Sequence, residues 1–125
     1  MKLSFLFALL ISLASCQAAK DKSFEKGPEK KLAHHGIIKG NKGQIVEICP
    51  ELTKGQSISF TFNSNLPVTF NFHYHLDNET VYPVTERNLS EFNYRYKAEQ
   101  DNVYCFMWES LLDNTKTKYQ YSLIN

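Results

Sequence analysis

The sequence predicts an all-β protein, an antiparallel β-sandwich of about seven strands, of jelly-roll-like kind. Three observations predict it. Apolar and polar residues alternate with period two from residue 43 onward, turn signals recur at short intervals, and no stretch there shows a sustained helical period.

The first strand is expected over residues 44–49, closed by Pro50 and the Lys54-Gly55 turn. In the next, Ile58, Phe60 and Phe62 alternate with Ser57, Ser59, Thr61 and Asn63, as in a strand with one wet face. Asn65-Leu66-Pro67 reads as a turn into a third strand, where Val68, Phe70, Phe72, Tyr74 and Leu76 share one face. Thr69, Asn71, His73 and His75 share the other. After Asp77-Asn78, a short strand over 80–84 belongs at an edge, because Pro83 cannot donate to a ladder. Phe92, Tyr94 and Tyr96 mark a fifth strand. The run 103–109, apolar on both faces, marks a covered sixth, and Tyr119, Tyr121 and Leu123 mark the last.

Ahead of this domain (43–125), residues 18–41 are rich in Lys, Glu and Gly and lack an apolar period, so 16–42 reads as a tether. Its His34-His35 pair reads as polar sequence. Residues 1–15 carry Lys2, an apolar run and then small residues, the layout of a secretory signal too short to span a bilayer comfortably. Leu13-Ala14-Ser15-Cys16 resembles the bacterial lipobox, which implies cleavage before Cys16 and a diacylglycerol on its thiol. Gln17 behind the cysteine then implies sorting to the inner leaflet of an outer membrane, facing the periplasm. Two alternatives stay open. Cleavage after Ala18 would release a soluble protein, and the acceptor tripeptides beginning at Asn78 and Asn88 would suit a eukaryotic secretory route.

The chain carries 14 Lys and Arg against 13 Asp and Glu, so losing Lys2 with the signal leaves it balanced. That balance speaks against a nucleic-acid partner. With Cys16 lipidated, Cys49 and Cys105 are left in a compartment where disulfides persist, and a bond between them is expected.

The sharpest chemical signal is His73-X-His75. Residues two apart on a strand project from one face, about 7 Å apart at the backbone, and both imidazoles can reach one ion. Cys105 and Met107 share a face by the same parity, away from Tyr104, Phe106 and Trp108. Imidazole, thioether and, if not bridged, the Cys105 thiolate form a soft set suited to copper. Trp108 would add a cation–π contact. If the cysteines are bridged, His73, His75, Met107 and Glu47 or Asp77 are the remaining ligands. Catalysis is not expected, since neither a nucleophile elbow nor a glycine-rich phosphate loop is present in the sequence.

The order Cys49-Pro50-Glu51, Lys54-Gly55, alternating strand, then the run from Val103 to Trp108 resembles the GOLD β-sandwich of the p24 cargo-receptor family. The resemblance covers roughly residues 45–123. It implies the sandwich, a bridge between the two cysteines and a non-catalytic interaction role. The sequence departs from that family in placing Cys105 directly after Tyr104 and Ser110 where an Asn is common, and in lacking the downstream coiled coil and membrane helix. The function expected is a lipid-anchored extracytoplasmic binding module holding copper through His73 and His75. The alternative is a metal-free interaction or envelope-structural lipoprotein that contacts another envelope protein.

Overall fold

The computed structural model describes residues 32–125. The signal segment, Cys16 and the expected tether up to residue 31 lie outside the described residues. Seven strands follow one another: β1 (Leu32–Gly40), β2 (Ile45–Ile48), β3 (Glu51–Leu52), β4 (Ser57–Leu76), β5 (Glu79–Lys97), β6 (Asn102–Ser110) and β7 (Thr115–Ile124). All pair antiparallel in the order β1-β7-β4-β6-β2, with β5 along β4 and β3 along β6.

The 20-residue β4 organises the sheet. Its first part, 57–64, pairs with β7 (Phe62 opposite Tyr119), and its second, 68–74, pairs with β6 (Phe72 opposite Phe106). β5 follows both parts on the other side. The sheet curls between them, so that Phe60 of the first part stacks on Phe106 with ring centroids 3.9 Å apart. Two leaves result. The first is β1, β7 and the halves of β4 and β5 at 57–64 and 91–97; the second is their other halves with β6, β2 and β3. The expected antiparallel sandwich is thus a single sheet folded over on itself.

Alternation explains the filling. Ile58, Phe60, Phe62, Phe70, Phe72, Phe106 and Trp108 all point between the leaves and are buried. Aromatic rings of this size each remove 150–250 Å² from water, which suits a core built from few residues. Among the described residues β5 pairs only with β4 and lies at an edge, where Pro83 is tolerated.

Four expectations change, the first being that the short strand expected over 80–84 and the strand marked by Phe92, Tyr94 and Tyr96 are one continuous β5. Residues 32–40, assigned to the tether, form β1, paired from Leu32 opposite Leu123 to Gly40 opposite Thr115. The strand is made by hydrogen bonds from β7 and not by its own side-chain pattern, which is why periodicity missed it. Gly36 matters there, because a Cβ on it would lie 2.5 Å from Tyr119 Oη. Asn65-Leu66-Pro67, expected as a turn, lies inside β4. Between Asn63 and Val68 the pairing with β5 advances only from Glu91 to Leu89, so the surplus residues form an irregularity that accommodates Pro67, which has no N–H. The two-residue β3 lies between Pro50 and the Lys54-Gly55 turn, where no strand was expected.

Candidate metal centre

The outer face of the second leaf carries the chemistry that the alternation predicted. On β4, Thr69, Asn71, His73 and His75 point away from the aromatic core. Thr69 Oγ1 bonds Asn88 Oδ1 at 3.0 Å, tying this face to β5. β6 lies alongside, with Asn71 opposite Met107 and His73 opposite Cys105, and beyond it β2 places Glu47 opposite Met107. The two strands left unconnected by the sequence are therefore neighbours. Trp108 is not part of this face: its indole packs inward against Phe60 and Phe70, so the expected cation–π contact does not form.

Cys49 and Cys105 are disulfide-bonded, with Cα atoms 4.1 Å apart. This takes Cys105 out of the ligand set. Glu47, Cys49 and Cys105 do bring their donor atoms within 4.8 Å of one another, but two of those donors are the bridged sulfurs. Asp77 sits in the β4–β5 turn at φ 55°, a conformation that Asp tolerates through its short polar side chain.

His73 is buried, with 6% of its surface exposed. Its Nδ1 lies 2.7 Å from Asn71 Oδ1, an oxygen that can only accept, so Nδ1 carries the hydrogen. Its Nε2 lies 3.7 Å from Glu47 Oε1. Burial pushes the imidazole below its ordinary value of 6.5, the Glu47 carboxylate works against that, and His75 adds to the lowering. In the neutral ring Nε2 holds a lone pair, which faces a carboxylate oxygen. A proton on Nε2 would make this contact an ion pair, and a metal ion would bridge the same two atoms.

His75 is exposed, with its ring centroid 5.4 Å from that of His73 and its Nδ1 3.2 Å from Thr80 Oγ1. Asn102 Nδ2 donates to the His75 carbonyl at 2.7 Å and fixes the backbone there. Met107 shares the face and is half-buried. Sequence reasoning placed Asn71 on this face but gave it no role; its parity with His73 was the signal.

The sequence matches no protein-family model and no curated protein. One solved structure with some likeness is that of the Yersinia pseudotuberculosis-derived mitogen (YPM). It is 12% identical, with 77% of this chain and 86% of that chain covered at a TM-score of 0.47.

Proposed function

We propose that the protein is a lipid-anchored extracytoplasmic binding module that holds a divalent transition metal, copper or zinc, at His73. The arrangement of His73 between Asn71 and Glu47 carries this reading. Metal-bound histidines generally give their second nitrogen's hydrogen to an oxygen acceptor, and Asn71 supplies that acceptor. Two metal–ligand bonds of about 2.0–2.2 Å reach across the gap between His73 Nε2 and Glu47 Oε1. His75 would give a further nitrogen after turning from Thr80, with Met107 beside it. Loss of the thiolates moves the donor set from soft toward nitrogen and oxygen, which suits Cu(II) and Zn(II) better than Cu(I). The lipobox-like Leu13-Ala14-Ser15-Cys16 supports the anchor and a periplasm-facing outer-membrane location. On this reading the protein binds and does not catalyse.

The test is calorimetric titration of the oxidised, purified chain with Cu(II), Zn(II) and Cu(I). One equivalent of Cu(II) or Zn(II) should bind, His73→Ala should abolish binding, and Asn71→Ala should weaken it about 10–100-fold. No affinity for any of the three ions would end the metal reading and leave the metal-free interaction module. For the anchor, Cys16→Ser should stop fatty-acid labelling; label that persists in the variant would remove the lipobox.

A further inference from the structure

The fold sorts charge in a way that the near-neutral sequence hides. Residues 33–125 contain eight cations (Lys39, Lys42, Lys54, Arg87, Arg95, Lys97, Lys116 and Lys118) and ten acidic side chains, a net of −2. Strand register places five of the eight on one surface, the outer face of the first leaf. Lys39 sits opposite Lys116, Ile37 opposite Lys118, Ser59 opposite Arg95 and Ser57 opposite Lys97. All five cations are exposed, and of the ten acidic side chains only Glu91 shares this face. Among the described residues none of the five is in an ion pair. On the second leaf, β2, β6 and the 68–76 part of β4 contain no Lys or Arg, and Glu47 and Glu109 face outward there.

The basic face also has an exposed apolar residue and a hollow. Ile37 is 54% exposed among the lysines. An open depression of about 480 Å³ lies beside it, lined in part by His35, Ile37, Asn63 and Lys118. Cations around an exposed aliphatic side chain suit a phospholipid surface, with phosphates meeting the lysines and the aliphatic group entering the headgroup layer.

We propose that this face lies against an anionic phospholipid leaflet. The assignment of the leaflet rests on the lipid-anchor reading. Two features of the chain favour that occupant. β1, which borders the basic face, begins 16 residues after Cys16, a length that reaches at most about 55 Å and keeps the domain near the membrane. The intervening sequence adds Lys20, Lys22, Lys26, Lys30 and Lys31 against Asp21, Glu25 and Glu29. The two acyl chains of the anchor would hold the chain at the leaflet, and a basic face would orient the domain against it.

The mature chain carrying Cys16→Ser, which has no lipid, is sedimented with vesicles of phosphatidylcholine alone or of an equal mixture with phosphatidylglycerol. It should pellet with the mixed vesicles only, and less as salt is raised. Each cation facing such a surface contributes roughly fivefold in partition, so Lys116→Glu with Lys118→Glu should cost about 25-fold or more. Glu109→Gln, on the other leaf, should change nothing, and native circular dichroism of each variant checks folding. No partition into the mixed vesicles at low salt overturns the proposal. So does partition that the double variant leaves intact, or capture by soluble heparin in place of vesicles. Because the chain assayed is unlipidated, these outcomes are independent of whether Cys16 is acylated.

Discussion

Phe60 and Phe106 lie face to face, with ring centroids 3.9 Å apart and planes within 11° of parallel, one on each leaf of the folded sheet. Both are at most 2% exposed, and Phe70, Phe72 and Trp108 complete the cluster around them. This contact joins two leaves that, among the described residues, share the long β4–β5 strand pair.

Phe60→Ala should therefore cost about 3–5 kcal/mol, the sum of lost transfer energy and the cavity left behind. Urea unfolding followed by tryptophan fluorescence reads this directly. A loss below about 1 kcal/mol would mean that the leaves are not held together there.

The Cys49–Cys105 bond closes a loop with a sequence separation of 56. In the chain-entropy model such a loop stabilises the fold by about 4 kcal/mol. Native thiol counting should find neither cysteine, and the double Cys→Ser variant should melt well below the wild type. Two reactive thiols in protein purified without reductant would contradict the bond.

His73 makes stability depend on pH, and the direction follows from its lowered value. Between the folded value and about 6.5 the unfolded chain holds the proton and the folded one does not, so stability rises with pH there. Above about 6.5 neither state is protonated and the effect is absent; below it the fold is progressively penalised. The urea midpoint of metal-free protein should be lower at about pH 5.5 than at about pH 7.5, and His73→Gln should shrink the difference. An NMR titration placing this imidazole above the ordinary histidine value would reverse the sign and refute the prediction.

β1 can be tested apart from the rest. Gly36→Ala forces a methyl group against the Tyr119 ring and should cost about 1–3 kcal/mol. A chain starting at Gly43 leaves β7 with β4 as its one remaining neighbour and should unfold at lower urea than one starting at Leu32. Equal midpoints for the two truncations would show that β1 adds nothing.

The parts of the fold legible in the sequence are those whose side chains report their environment. Ile58, Phe60 and Phe62 gave their strand and its buried face, and Pro83 gave an edge. The facing of His73, His75, Cys105 and Met107 also followed from parity alone, and register then supplied what parity lacks: that His73 lies opposite Cys105. β1 was not legible, because pairing with β7 makes it a strand and its pairing partners lie far along the chain. The continuity of β4 through Leu66 and Pro67 was hidden too, since a proline within a bulge and a proline in a turn look alike in sequence. The roles of Asn71 and Glu47 around His73, and the basic face of the first leaf, depend on which strands are neighbours, and single-strand periodicity carries no such information.

The pairing of Leu32 with Leu123 has a consequence for how the chain is made. Contacts so distant in sequence form late and slowly, because the intervening chain must be ordered before they can add stability. The β4–β5 hairpin can zip from the Asp77-Asn78 turn as soon as residue 97 has been synthesised. The first leaf cannot close until β7 has been made, after residue 115. A ribosome-bound chain therefore stays open until β7 has been made, the condition in which a polypeptide can be threaded across a membrane before it folds.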